Sequence, residues 1–256
     1  MDNLFDLTGK VAVITGSSRG IGRAIAERMA QHGARVVVSS RKADACNQVA
    51  GAINDSGGEA ISVPCNISHK DQLRRLVDHT LGHWGHIDVL VCNAAVNPFF
   101  GTTQSISDDA FDKILHNNIR SNHWLCQMAV PQMAERREGS VILVSSIGGL
   151  RGSMTLGTYS LTKAADMQLA RNLAVEWGPY NVRVNCIAPG LIRTDFARAL
   201  WENEDILRAA TRGSALQRIG EPDEIAGAAV FLASRAGGFT SGATLVIDGG
   251  ATIYGG

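Results

Sequence analysis

The chain has 256 residues, 45% of them apolar and 19% charged, which suffices for one large α/β core or two small ones and excludes a disordered chain. Twenty-four Lys and Arg balance 24 Asp and Glu, so no net field draws in nucleic acid or an anionic membrane, and an anionic ligand must be held by local basic residues. Five scattered cysteines (Cys46, Cys65, Cys92, Cys126, Cys186), with no Cys-x-x-Cys pair, read as buried reduced thiols and not as a disulfide framework.

Short β-branched runs alternate with longer stretches of helical spacing. Val11–Thr15 predicts the first strand, and the helix after it sets Ile21, Ala24, Ile25 and Met29 on one face before Gly33 stops it. Strands are expected next at Arg35–Ser40, Ala60–Cys65 and Ile87–Cys92. Ser107-Asp-Asp opens a helix that continues through Ile114 and Ile119. Val141–Ser145 predicts a fifth strand, followed by a long helical segment ending near Gly178. Val182–Ala188 predicts the sixth strand, Pro222-Asp-Glu opens the last helix, and Thr244–Asp248 predicts the seventh strand.

Most of these strands are apolar nearly throughout, as parallel strands covered on both faces must be. Regular alternation without a Pro/Gly-rich linker predicts one domain over residues 1–256: α/β, a single doubly wound Rossmann-type sheet of seven parallel strands. Residues 193–220 are longer than a connector needs. They read either as a substrate lid or as a surface helix pair packed on the body.

Thr15-Gly-Ser-Ser-Arg-Gly-Ile-Gly22 follows the first strand and opens the first helix, which is where a dinucleotide pyrophosphate rests in such a sheet. Gly16 allows the tight turn, Gly20 the close approach of backbone to phosphate, and Gly22 the packing of helix on strand. The helix N-terminus adds donors and positive potential. Tyr159-Ser-Leu-Thr-Lys163 opens the long helical segment. Positions i and i+4 share a helical face, so the ammonium reaches the phenol and favours its ionised form. Either motif alone occurs by chance; together they specify.

The spacing Gly-x-x-x-Gly-x-Gly, the Tyr-x-x-x-Lys motif, and Ser146 thirteen residues before Tyr159 resemble the short-chain dehydrogenase/reductase family from about Leu7 to Gly250. The resemblance implies a catalytic set of Asn118, Ser146, Tyr159 and Lys163. Asn118 would anchor a proton-relay water, with Asn117 as the rival, and Ser146 would orient the substrate oxygen. Ser145 would be structural, on the opposite side of the pleat. It also implies cofactor contacts from Gly16, Ser18, Arg19, Gly20, Ile21, Gly22, Asn93, Ala94, Tyr159 and Lys163. The segment Pro189, Gly190, Ile192 and Thr194 would cradle a nicotinamide. Cys65-Asn66-Ile67 stands where the family usually has Asp against adenine; Asn66 keeps a carbonyl acceptor. Ala95 stands where the family usually has Gly.

Ser40 occupies the position at which NAD-selective members carry an acid, and Arg41 follows it. A carboxylate there repels a 2′-phosphate, whereas a guanidinium grips one, so NADP(H) is favoured and NAD(H) possible, with Arg19 a second basic residue. The expected activity is reduction of a small carbonyl compound, reversibly oxidising the alcohol. The alternatives are an NAD(H)-dependent alcohol or sugar dehydrogenase and a non-catalytic NADP(H) sensor or scaffold.

Asn97–Gly101 and Ala188–Trp201 are similar to the NADPH-dependent carbonyl and retinal reductases of the family. Phe99, Phe100, Leu150, Leu156, Phe196 and Trp201 could line an apolar pocket or be ordinary core or oligomer contacts. No metal is expected, because His79, His83 and His86 lack the His-Glu-x-x-His pattern. Met1–Asp6 has no signal-peptide pattern, and no apolar run nears membrane-spanning length, so no membrane or nucleic-acid partner is expected and the compartment is the cytoplasm. The resemblance implies a homotetramer, with the Asn118 helix, the Tyr159 helix and the last strand at its interfaces.

Overall fold

Val11–Thr15 (β1) is buried along its whole length, and six strands align parallel to it in the order β3-β2-β1-β4-β5-β6-β7. They are β2 (Arg35–Ser39), β3 (Glu59–Ser62), β4 (Val89–Cys92), β5 (Gly139–Val144), β6 (Val182–Pro189) and β7 (Thr244–Ile247). The computed structural model describes residues 3–255. All seven predicted strands are present. β3 starts earlier and ends at Ser62, before Pro64, which has no N–H to give a ladder.

Helices cover both faces: α1 (Gly20–Gln31), α2 (Ala43–Asp55), α3 (Lys70–Trp84), α4 (Asp108–Leu115), α5 (Ser121–Arg136), α6 (Gly157–Trp177), α7 (Glu204–Thr211) and α8 (Pro222–Ala233). Alternate strand residues feed two cores. Ala12, Ile14, Val36 and Val38 pack with α1, α2 and α8, while Val13, Val37, Leu90 and Val141 pack with α3, α5 and α6. Each fully buried Val or Ile contributes on the order of 1.5–3 kcal/mol relative to exposure. That is why the strands tolerate almost no polar residue.

The helix ends obey their residues. Ser107 Oγ accepts from the Ala110 N–H at 3.3 Å, and Glu221 and Glu224 form a reciprocal capping box around Pro222. One break in regularity was not expected. Between α4 and α5, His116–Arg120 winds as a π-turn, which displaces side chains from their α-helical positions. Strand order reverses at β1, flanked by β2 and β4. The crevice at the carboxyl ends of β1 and β4 is thus the topological switch point where an open α/β sheet takes its ligand.

Candidate active site

β1 leaves the sheet through Gly16 and enters α1 at Gly20, with φ of +68° and +56°, the left-handed region that glycine adopts at least cost. A Cβ on Gly22 would sit 2.4 Å from both Asn93 Nδ2 and the Gly16 carbonyl oxygen. Its room is therefore used by the loop itself and by β4, more than by the helix-to-strand contact expected of it. Asn93 Nδ2 donates to the Thr15 and Gly16 carbonyls at 2.9 and 3.2 Å. The backbone N–H groups of Asn93 and Ala94 reach Thr15 Oγ1 at 3.1 and 3.2 Å. Asn93 thus laces β4 to the loop.

Ser18 is half-buried, while Ile21 turns its side chain to the core. Arg19 is exposed and lies 3.5 Å from Asp195, a partner absent from the sequence reading. At the end of β2, Ser40 Oγ is 3.1 Å from Cys46 Sγ and the Ser40 carbonyl accepts from Cys65 N–H. Arg41 is exposed, and among the described residues no side chain pairs with it. Asn66 Oδ1 accepts from the Ser68 N–H and hydroxyl at 3.2 and 2.8 Å, so the acceptor expected to face adenine is engaged locally; Ile67 beside it is buried.

Beyond β6, Pro189 and Gly190 pass so close to Asp248 that a Cβ on Gly190 would meet its Cα at 2.7 Å. Ile192 is buried and bridged to Gly220, and Thr194 Cγ2 stands 3.2 Å from where a Gly20 Cβ would be. The segment expected to cradle a nicotinamide therefore lies against the glycine loop.

The other wall begins where β5 ends. Ser145 is buried and donates to the Lys163 carbonyl at 2.6 Å, the structural part expected of it. Ser146 is half-buried. Its Oγ accepts from Gly148 N–H at 3.0 Å, which leaves the hydroxyl hydrogen free to donate elsewhere. Gly149 lets this turn press on α6: a Cβ there would lie 2.6 Å from Ala164 N and the Lys163 carbonyl carbon.

On α6, Tyr159 is half-buried, and its hydroxyl has no hydrogen-bond partner among the described residues. Lys163 Nζ stands 5.6 Å from the Tyr159 ring centroid and donates to the Val144 carbonyl at 2.8 Å and to Asp166 Oδ2 at 3.2 Å. Burial works against this ammonium, yet Asp166, aided by Tyr159, holds Lys163 above the usual lysine value.

The π-turn brings Asn118, not Asn117, to this wall. Asn118 is fully buried: its Oδ1 accepts from Val96 N–H at 2.9 Å, and its Nδ2 donates to the Val96 carbonyl at 3.0 Å and to Thr162 Oγ1 at 3.1 Å. Asn117 bonds back to Lys113 O on its own helix. The Asn118 carbonyl accepts from Asn122 Nδ2 at 2.8 Å. Asp166, Asn122, Thr162 and Gly149 escaped sequence reasoning. A lone Asp within Ala164-Ala165-Asp166-Met167, three residues after Lys163, was the signal that could have found the first.

Phe100, Leu150, Met154 and Phe196 are exposed, and the Phe196 ring lies 6.0 Å from that of Tyr159. Trp201 is drawn elsewhere. Its Nε1 donates to Thr194 O at 2.8 Å and its ring carries Arg193, in a cleft of about 600 Å³ between the starts of α1 and α8 that Gly20 and Thr194 also line. Segment 193–220 consists of a 3-10 turn (Asp195–Leu200) and α7.

The glycine loop, which turns through positive φ at Gly16 and Gly20 into the N-terminus of α1, and the lysine at the mouth of β5 fit a nicotinamide dinucleotide. Gly16, Gly20 and Gly22 would take its pyrophosphate, and Tyr159 and Lys163 its ribose. Residues 16–252 match the family described as enoyl-(acyl carrier protein) reductase. The rabbit (Oryctolagus cuniculus) protein named dehydrogenase/reductase SDR family member 4 is 41% identical over 96% of this chain and 94% of its own length. A 7 alpha-hydroxysteroid dehydrogenase complexed with NADH and 7-oxo glycochenodeoxycholic acid superposes with a TM-score of 0.93 at 34% identity over 98% of both chains. A 3-oxoacyl (acyl-carrier-protein) reductase from Agrobacterium tumefaciens with NADP bound does so with 0.91 at 34% identity over 96% of both. With these relatives beside the geometry, the chain is an NAD(P)-dependent oxidoreductase and belongs to the short-chain dehydrogenase/reductase family.

Proposed function

We propose that the protein reduces a ketone or aldehyde with NADP(H), Tyr159 giving the proton to the carbonyl oxygen. The carrying observation is the pairing of an uncommitted Tyr159 hydroxyl with a buried, charged Lys163, beside a Ser146 whose hydroxyl hydrogen is free. A bound nicotinamide supplies the hydride. The chain's own residues do the rest: Ser146 donates to the carbonyl oxygen and orients it, and Tyr159 protonates it as charge develops. Lys163 stabilises the phenolate left behind. Asn118 fixes the Val96 backbone and Thr162 on one side, keeping the start of α6 in register, and supports proton resupply. The Phe196 ring beside Tyr159, with Phe100 and Leu150 exposed, suits a bulky apolar carbonyl compound, and segment 193–220 serves as the lid over it.

NADP(H) is preferred because Arg41, uncommitted, follows Ser40 where a carboxylate would repel a 2′-phosphate, while Arg19 must first leave Asp195. Titrating the purified protein with NADPH and with NADH by fluorescence tests this. NADPH should bind tighter, and Arg41→Ala should weaken it about 10-fold or more while leaving NADH unchanged. Tighter NADH binding would redirect the reading to an NAD(H)-dependent alcohol or sugar dehydrogenase.

Among the described residues no helix is long and apolar enough to cross a membrane, and the cytoplasm is the compartment we assign. We assign a homotetramer. Support comes from edge strand β7, which leaves Val246 exposed, and from the exposed side chain of Phe239 before it.

A further inference from the structure

One buried ionisable group takes no part in the chemistry above. Asp166 is fully buried on α6, one helical turn beyond Lys163. Both of its oxygens receive N–H donors: Asn122 Nδ2 on Oδ1 at 2.9 Å and Lys163 Nζ on Oδ2 at 3.2 Å. Neither oxygen has an acceptor to donate to, which is the pattern of an ionised carboxylate; burial raises the Asp166 carboxyl above the usual value, and Lys163 and Asn122 pull against that rise. Asn122 is itself buried, and it reaches this carboxylate from α5 while also holding the Asn118 carbonyl.

Asp166 is the one carboxylate among the described groups acting on the lysine. From α6 there is also the phenol of Tyr159, which adds to its pull; from β6 comes Cys186 and from β4 Cys92, with Cys126 of α5 beside these two thiols. Burial, with Asp166 adding to it, pushes the Cys186 thiol far up. A hydrogen bond to Cys126 and burial do the same to Cys92, so neither becomes a thiolate near neutrality.

We propose that Asp166 is the positioning residue of the site: the buried counter-ion that keeps Lys163 an ammonium and fixes its direction, with Asn122 as the clamp on the carboxylate. A buried lysine beside Val144, Tyr159, Cys186 and Cys92 would otherwise shed its proton, because an isolated charge is disfavoured in such surroundings. A neutral amine would neither stabilise the Tyr159 phenolate nor favour an anionic cofactor. The claim deepens the reductase reading and rests on it for its catalytic meaning, but the charge state of Lys163 can be read without turnover.

The test is the pH titration of the five lysine side chains in protein labelled with ¹³C-lysine and free of cofactor, compared between wild type and Asp166→Asn. Removing one member of a buried ion pair can also unfold a protein, so Asn122→Leu is run in parallel: it keeps the carboxylate and removes its clamp, together with the bond to the Asn118 carbonyl. In the wild type the Lys163 resonance should remain that of an ammonium through pH ~9. In Asp166→Asn it should lose its proton at a pH at least about one unit lower than in the wild type, and in Asn122→Leu it should move the same way by less.

The high-pH limb of carbonyl reduction should shift acidward with it, whereas a merely structural role would scale the rate and leave the profile in place. A Lys163 that titrates alike in all three proteins overturns the proposal. A shifted lysine in a protein without turnover on any carbonyl compound would uphold the counter-ion and contradict the reductase reading.

Discussion

Ser146, Tyr159 and Lys163 lie on two elements that meet through backbone, and the meeting point is Gly149. Its missing Cβ lets the turn after β5 rest against the carbonyl of Lys163, and Ser145 Oγ bonds that same carbonyl. A methyl there would have to push backbone aside, which costs about 1–3 kcal/mol in a packed interior. Gly149→Ala is therefore expected to lower thermal stability and to separate Ser146 from Tyr159. The check is kcat, which should fall more than the NADPH affinity. Equal losses of both would place the turn outside the catalytic geometry.

The motif residues were legible because their spacing is local. Tyr159 and Lys163 lie within one helical turn, and Gly16 to Gly22 form one loop. Asn118 with Thr162, and Asn122 with Asp166, were not legible. Each pair joins positions 44 residues apart, and nothing in the linear pattern records which faces of α5 and α6 come together.

At the scale of elements, the strands were readable from runs of Val and Ile, and α8 from Pro222 and its acids. The π-turn at His116–Arg120 was not, because an extra residue in a helix leaves the hydrophobic rhythm of its neighbours nearly intact. It is nevertheless what sends Asn118 inward while Asn117 folds back on its own helix. The entry to α8 carries its own consequence. Arg218, at the end of segment 193–220, grips Glu224 through two hydrogen bonds of 2.8 and 2.7 Å. That contact, with the Glu221 N–H, holds the Glu224 carboxyl down at about 2.

A carboxyl lowered on folding stabilises the native state above its unfolded value and loses that contribution as pH falls. The window here runs from about pH 4.5 down to about 2. Arg218→Ala should lower Tm at pH 6 and flatten the fall of Tm across that window. An unchanged acid limb would mean that solvent screening already cancels the pair, as it does for many exposed ion pairs.

At the scale of the molecule, one parallel sheet brings the ends of β1, β4 and β5 to a common edge. There the glycine cradle, the Asn93 lacing and the Tyr159–Lys163 helix converge. The same fold carries relatives whose solved complexes hold NADH in one case and NADP in another, so the scaffold by itself does not choose between the two cofactors. The central claim is reduction of a carbonyl with Tyr159 as proton donor. It is tested most directly by following NADPH oxidation over a panel of aromatic and bulky ketones, with wild type beside Tyr159→Phe. The wild type should consume NADPH only when a carbonyl compound is present. The variant should bind NADPH normally yet turn over about 10²- to 10⁴-fold more slowly. Turnover retained in Tyr159→Phe would remove the phenol from the mechanism and contradict the account.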